Sequence, residues 1–284
     1  MTTVDRPVRY VDVVRSEWTK FRSVRSTYWT YLIALLIGVG LGALVCVVSA
    51  NHFFSDPTLY TRWEPATRSL ATLQLGQLAF AVLGVMTVTS EYATGMIRTS
   101  LTAVPRRIRM MSAKLIVYAV ASLVVGEVIS FAAFLVGQAL FHAQTGTMRV
   151  GPIMKFLVPG GVIHVPSATL GQHDVLRVVV GAGLYLTVIG LLGAGLGVIF
   201  RHAAAGIAVI VSILVIIPVL VEAALPTSWA QPIDKYWPTN AGQRVFYLHS
   251  AGPNLSAWWG FGDFALFTTL VIALSFAVLH GRDA

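Results

Sequence analysis

Apolar residues along this 284-residue chain are gathered into six long, nearly uncharged stretches that are separated by polar segments. An α-helix needs about 20 apolar residues to cross the hydrocarbon core of a bilayer, and each stretch is close to that length. We therefore predict an all-α integral membrane protein with six transmembrane helices. The predicted spans cover residues 28–48, 70–89, 115–141, 175–200, 203–225 and 257–279.

The composition agrees with a membrane domain. Hydrophobic residues make up 56% of the chain and charged residues only 11%, whereas about 25% of the residues of a soluble domain are charged. The formal net charge of +8 would also suit a nucleic-acid-binding protein, but here the basic residues flank the apolar stretches. The first apolar run is longer than the roughly 7–15 residues of a signal-peptide core, so we interpret it as an uncleaved span. The lone cysteine, Cys46, lies in that span and cannot form an intramolecular disulfide.

The distribution of lysine and arginine predicts how the spans are oriented. Basic residues are dense before the first span and in the loop after the second span, whereas the loops on the other side carry fewer of them over longer segments. Lysine and arginine are enriched in cytoplasmic loops. We therefore expect both termini to be cytoplasmic and the chain to be a multi-pass protein of the cell inner (plasma) membrane.

The segment before the first span predicts an amphipathic helix. Val11, Val14, Trp18 and Phe21 recur at helical spacing, and most of the basic residues lie off this stripe. Such a helix would lie along the inner leaflet, where its basic residues meet anionic headgroups while Trp18 and Phe21 enter the interface. The alternative is an ordinary basic flank that only sets the topology.

Small residues and prolines predict local features of the spans. Pairs of glycines four positions apart allow close helix packing, and the second of the two pairs is expected to support a tight hairpin between the fourth and fifth spans. Pro218 should kink the fifth span, and the aromatic- and proline-rich segment 226–256 favours short helices at the outer interface. The glycine pairs are Gly38 with Gly42 and Gly193 with Gly197.

Sequence signatures of enzymes and metal sites are absent: the chain has no Walker lysine loop, no HExxH, no nucleophile elbow and no paired-cysteine site. We therefore expect no catalytic residue, cofactor or metal in this chain. Polar residues within the spans are the remaining candidates, and Gln74, Gln77 and Glu127 are candidate residues of a pathway.

Glu127 is the deepest of the acidic residues in the predicted spans, since Glu222 and Asp263 lie nearer to span ends. A charge at the bilayer centre costs about 2.5–3.5 kcal/mol on insertion scales, so Glu127 should face protein or water. It is either a contact for substrate or a proton site, or else a neutral packing residue that shares hydrogen bonds with Ser122 and Ser130.

The loop after the second span, residues 91–114, contains a stretch that ends before Pro105 and joins an apolar edge to basic residues. A short helix of this kind suits docking on a soluble partner. A solvated basic loop is the alternative.

Three segments of the chain resemble the type-2 permease family of ATP-binding-cassette exporters, in particular its small actinobacterial members. They are residues 16–27, the loop 91–114 and residues 236–242. The resemblance implies that two permease chains, identical or paralogous, form the pathway, and that separate ATP-binding subunits holding ATP and Mg attach on the cytoplasmic side. Carried over from the family, Trp18 and Phe21 belong to an elbow helix, and the coupling helix includes Glu91, Gly95, Arg98 and Leu101.

The resemblance thus implies a single permease domain with an elbow helix in residues 1–27, a membrane bundle in residues 28–279 and a cytoplasmic tail in residues 280–284. We expect a dimeric exporter of an amphipathic or hydrophobic drug, peptide or lipid. One alternative is a proton-coupled secondary transporter that uses Glu127. The other is a membrane scaffold that transports nothing.

Overall fold

The structure is a computed structural model that describes residues 9–55, 62–96, 107–147, 162–248 and 255–281. Within these residues the chain is mainly helical, and six helices are long and apolar enough to cross a membrane. The prediction of six spans is therefore confirmed. Spans 1 to 6 are Arg25–Phe54, Leu73–Ala93, Arg107–Ala143, Val175–Phe200, Ala203–Ala224 and Ala257–Gly281.

Shorter elements connect the spans. Helix α1 (Tyr10–Ser23) precedes span 1, and a short helix, Pro65–Ser69, precedes span 2. Strands β1 (Thr145–Thr147) and β2 (Val162–His164) pair antiparallel after span 3, a small ribbon that the sequence did not predict. Between spans 5 and 6 lie two short helices and a 3₁₀ turn, as predicted for this segment: Thr227–Tyr236, Pro238–Gln243 and Arg244–Phe246.

Span 4 lies at the centre of the bundle. Its most apolar window is 67% buried within the chain, compared with 17% for span 5 and 22% for spans 1 and 6. Glycines let the helix backbones come close here. A Cβ added at Gly197 would lie 2.9 Å from the carbonyl oxygen of Val85, and a Cβ added at Gly193 would collide with the carbonyl oxygen of Ala81. Both contacts are on span 2. The pair Gly193 and Gly197 therefore packs against span 2, and the expectation that it serves span 5 was wrong.

Span 1 packs its own glycine pair as predicted. A Cβ at Gly38 would lie 2.8 Å from Ile129 of span 3, and one at Gly42 would lie 3.0 Å from the hydroxyl of Thr72. The segment Leu36–Leu41 is a π-helix, whose hydrogen bonds differ from those of an α-helix. The Thr72 hydroxyl donates to the Gly38 carbonyl at 2.9 Å, so span 1 is joined to the start of span 2 at this point.

The proline of span 5 also follows a π-helical segment, Ser212–Ile216. In a π-helix the N–H of residue i donates to the carbonyl of residue i−5, and Pro218 has no N–H to offer Ile213. The indole N–H of Trp237 donates to that Ile213 carbonyl at 2.9 Å instead. This hydrogen bond joins the short helices after span 5 to the part of span 5 that the proline disrupts.

Candidate functional site

Four charged side chains meet at the end of the bundle where span 2 finishes and span 3 begins. Lys114 Nζ lies 2.6 Å from Glu17 Oε2 and 2.7 Å from Glu91 Oε1. Lys20 Nζ lies 2.6 Å from Glu17 Oε1 and 3.5 Å from Glu91 Oε1. We call these residues, Glu17, Lys20, Glu91 and Lys114, the charge cluster. It connects α1, span 2 and span 3, which are distant in sequence.

Each element positions its charge by ordinary helical geometry. In α1 the buried residues Val13 and Glu17 are four positions apart and so share one face of the helix. Glu91 belongs to the last turn of span 2, whose helix ends at Ala93, and Gly95 follows with a φ of 71°. That left-handed conformation suits glycine after a helix C-terminus. Glu91 therefore ends a span rather than lying in a separate short helix, which corrects the boundary expected for the loop.

Span 3 begins at Arg107, about two turns earlier than the predicted start at residue 115, and this extension carries Lys114. The Tyr10 hydroxyl also pairs with that of Ser112 at 2.9 Å, which adds a second contact between α1 and the extension. The residues of the loop between spans 2 and 3 that the resemblance assigned to a coupling helix include Arg98 and Leu101, and these two lie outside the described residues.

The cluster is largely removed from water. The side chains of Glu17, Lys114 and Glu91 are 3%, 7% and 8% exposed. Burial alone would raise the pKa of the Glu17 carboxyl, but the ammonium groups of Lys114 and Lys20 outweigh it and hold that pKa below its usual value of 4.5. Burial would lower the pKa of Lys20, yet the carboxylates of Glu17 and Glu91 outweigh it and raise that pKa above 10.5. Both groups are thus charged at neutral pH.

One polar atom of the cluster remains without a hydrogen bond. Among the described residues, Glu91 Oε2 is buried and has no partner. The next residue, Tyr92, lies under the guanidinium of Arg201, whose carbon is 5.4 Å from the ring centroid. Arg201 ends span 4 in a left-handed conformation, with a φ of 55°. The turn between spans 4 and 5 therefore contacts the same end of span 2 as the charge cluster.

The two aromatic residues predicted for the N-terminal helix occupy different environments. Trp18 is 42% exposed on the outside of α1. Phe21 turns toward the bundle, where its ring lies near those of Tyr31 and Tyr118, with centroids 6.4 and 6.2 Å away. Phe21 thus packs against spans 1 and 3, whereas the side chain of Trp18 remains exposed on the surface of α1.

A second polar group lies toward the opposite end of span 2. The Tyr185 hydroxyl donates to Gln77 Oε1 at 2.7 Å and accepts from Gln243 at 3.2 Å. Gln74 donates to the side chains of Gln243 and Tyr247. This polar network joins spans 2 and 4 to the short helices after span 5. Gln77 is buried within it, and Gln74 is exposed at its edge.

Glu127 lies apart from this network. A Cβ added at Gly183 would be 2.5 Å from the carboxyl carbon of Glu127, so the carboxyl group packs directly on the backbone of span 4. Gly183 and Tyr185 are two positions apart, and about 200° separates them around the helix. Span 4 therefore stands between Glu127 and Gln77. Among the described residues Glu127 Oε2 is buried without a hydrogen-bond partner.

The expected hydrogen bonds from neighbouring serines to Glu127 are not found. Ser122 pairs with the Tyr31 hydroxyl at 2.9 Å, and Ser130 donates to the Val179 carbonyl at 2.6 Å. The serines instead join span 3 to spans 1 and 4.

The candidate residues thus fall into three places, and the sequence missed most of the charge cluster. Glu91 was identified, but Glu17, Lys20 and Lys114 were considered only as parts of basic segments. One signal was present, because position 17 is three residues after Val14 and four before Phe21, in the middle of the apolar stripe. An acidic residue at such a position indicates a buried ionic partner.

No group of three or more possible metal ligands occurs among the described residues. The chain matches no curated protein in a sequence search. Residues 13–172 match the family described as "ABC-2 family transporter protein". This match covers more than half of the 284 residues and includes most of α1, the first three spans and the whole charge cluster. The protein therefore belongs to the ABC-2 transporter family and is a multi-pass membrane permease of the ATP-binding-cassette class.

Proposed function

We propose that this chain is the permease subunit of an ATP-binding-cassette exporter, and that two such chains form the pathway for an amphipathic or hydrophobic substrate. Separate ATP-binding subunits supply the energy, bind ATP and Mg, and attach at the end that carries the charge cluster. That end faces the cytoplasm, as do both termini, in the plasma membrane.

The charge cluster is the observation that carries this proposal. A partner that moves the loop between spans 2 and 3 displaces the end of span 2, which carries Glu91, and the start of span 3, which carries Lys114 about two turns into the helix. Lys114 Nζ lies 2.7 Å from Glu91 Oε1, and the same nitrogen also pairs with Glu17 of α1. A displacement of the loop would therefore move α1, span 2 and span 3 together. This arrangement supports roles for α1 as an elbow helix and for Glu91, Gly95, Arg98 and Leu101 as coupling residues.

The outer faces of spans 1, 5 and 6 support assembly with a second permease chain. These spans are mostly unburied within one chain, so lipid or another protein must cover them. Gln74, Gln77 and Glu127 would supply polar contacts along a largely apolar pathway, which suits an amphipathic substrate better than a small ion.

Reconstitution with the ATP-binding subunit tests the proposal. The full chain is co-expressed with its ATPase and purified, and ATP hydrolysis is measured with and without substrate. Glu91→Gln keeps the size of the side chain and removes its charge, so we expect the complex to persist while stimulation by substrate falls at least about tenfold. Glu222→Gln is the matched control, because Glu222 is exposed. A chain that transports without any ATPase, or unchanged stimulation in Glu91→Gln, would contradict the proposal.

A second candidate is a proton-coupled secondary transporter. The half-buried carboxyl group of Glu127 favours it, because among the described residues its Oε2 is buried without a hydrogen-bond partner. In that case Glu127→Gln abolishes uptake driven by a pH gradient in proteoliposomes that contain the permease alone. If proteoliposomes with the wild-type chain show no such uptake, this candidate is rejected.

A further inference from the structure

We propose that a cavity between α1 and spans 1, 2 and 3 binds a phospholipid whose headgroup carries both a phosphate and a primary ammonium group. The cavity has a volume of about 380 Å³, which is within the usual range of roughly 300–1,000 Å³ for ligand pockets. The site goes beyond the proposed function, because it requires neither ATP nor the ATP-binding subunit.

The walls of the cavity combine apolar and charged side chains. Phe21, Leu83, Met86 and Val117 supply apolar surface, and Glu17, Lys20, Glu91 and Lys114 supply charge. The headgroup of a phospholipid and the first part of one of its acyl chains match this mixed lining. The four charged residues sum to zero, so a headgroup that is itself zwitterionic changes the local charge least.

Glu91 indicates which headgroup fits. Glu91 lines the cavity, and its Oε2 is buried without a hydrogen-bond donor among the described residues. A buried carboxylate oxygen without a donor is costly, and a primary ammonium group offers three N–H donors. Lys20 lines the same cavity with a side chain that is 32% exposed, and its ammonium can approach the phosphate of the same headgroup.

The position of the cavity favours a lipid over a soluble ligand. Exposed aromatic residues surround the junction of α1 and span 1: Trp18, Tyr28 and Trp29 are 42%, 55% and 64% exposed. Tryptophan and tyrosine are enriched at the level of the headgroups. The cavity therefore lies at the depth where the headgroup and the first part of an acyl chain are found.

Binding to the purified, delipidated chain tests the proposal without the ATPase. Native mass spectrometry compares phosphatidylethanolamine with phosphatidylcholine of identical acyl chains, because the choline nitrogen has three methyl groups and no N–H. A hydrogen bond between charged groups accounts for a preference of at least about tenfold for phosphatidylethanolamine. We expect Glu91→Gln to reduce this preference to less than about twofold.

Blocking variants locate the site. Ser90 is exposed and lines the cavity, so Ser90→Trp should weaken phosphatidylethanolamine binding at least about tenfold. Leu75→Trp is the matched control, since Leu75 is 53% exposed near the other end of the same helix. If Ser90→Trp does not fold, Thr94→Trp blocks the same cavity.

Four results would overturn the proposal. The first two are equal binding of phosphatidylethanolamine and phosphatidylcholine, and a preference for phosphatidylethanolamine that survives in the blocking variants. The third is equal competition by phosphatidylglycerol, which has a phosphate but no ammonium group. The fourth is tighter binding of dodecylammonium than of phosphatidylethanolamine. The last result would assign the cavity to cationic amphiphiles.

Discussion

Replacing Lys114 by methionine should destabilise the folded chain more than any other single change in the charge cluster. The side chains are similar in length, so the change removes the charge and its hydrogen bonds with little effect on packing. Lys114 is 7% exposed and contacts Glu17 and Glu91, which are 3% and 8% exposed. Removing one partner from a buried ion pair costs about 3–5 kcal/mol, because the remaining charge is left buried without compensation. Here two carboxylates lose their closest cation, so we expect a loss at the upper end of that range.

Lys20→Met is the matched control. Lys20 is 32% exposed, and Glu17 keeps Lys114 when it is removed, so a loss of about 1 kcal/mol is expected. The free energy of unfolding is measured by titration with sodium dodecyl sulfate in mixed micelles, followed by tryptophan fluorescence. A loss below about 1 kcal/mol for Lys114→Met, or equal losses for the two lysine variants, would refute the reasoning. Adding Glu17→Gln to Lys114→Met should recover about 1–2 kcal/mol, because one stranded charge is removed.

The pH dependence of unfolding gives an independent check on the same cluster. The pKa of Glu17 is lower in the folded chain than its usual 4.5, so its contribution to stability is present above about pH 4.5 and is lost as the pH falls through the depressed value. The pKa of Lys20 is raised, so its contribution is present below about pH 10.5 and is lost at higher pH. The difference in the free energy of unfolding between wild type and Lys114→Met should therefore become smaller as the pH falls below about 4.5. A constant difference would contradict the assigned ion pairs.

Three further changes test the packing around span 4 and span 5 with the same unfolding measurement. Gly193→Ala places a Cβ against a carbonyl of span 2 and should cost about 1–3 kcal/mol, whereas Gly262→Ala has open space and should stay within about 1 kcal/mol of wild type. Tyr185→Phe removes the donor to a buried glutamine and should cost about 1–3 kcal/mol. Trp237→Phe leaves the Ile213 carbonyl without its indole donor and should cost about 1–2 kcal/mol, and an unchanged stability would show that this carbonyl needs no partner.

Hydrophobicity predicted the ends of the spans best where polar residues flank an unbroken apolar run. Span 4 was predicted at its observed bounds, since the charged residues Asp174 and Arg201 flank its apolar run. In the structure both residues adopt left-handed conformations, Asp174 before the helix begins and Arg201 after it ends. Span 3 was predicted to start too late, because its first two turns carry basic residues. A hydropathy pattern reports the part of a helix that sits in lipid, and the backbone hydrogen bonds continue beyond it.

The partners of the candidate residues could not be predicted in the same way. A glycine pair identifies a helix face that packs closely. The sequence around Gly193 and Gly197 does not tell whether span 2 or span 5 packs against that face. The ion pairs of Lys114 join residues that are 97 and 23 positions apart. Such pairings depend on how α1 folds back on the bundle. Only the charged residue within an otherwise apolar stripe, Glu17, indicated that α1 has a protein partner as well as a lipid surface.

The charge cluster is better explained by the geometry that it imposes than by the stability that it adds. A buried ion pair often contributes no more stability than apolar side chains of the same size, because both charges must leave water. Lys114 nevertheless holds carboxylates from two other elements at 2.6 and 2.7 Å, distances that permit little relative movement. Apolar side chains would specify the position of α1 on spans 2 and 3 less strictly, since the hydrophobic effect is non-directional. The cluster therefore holds these three elements in register, which is the property that the proposed function requires of α1 and the two span ends.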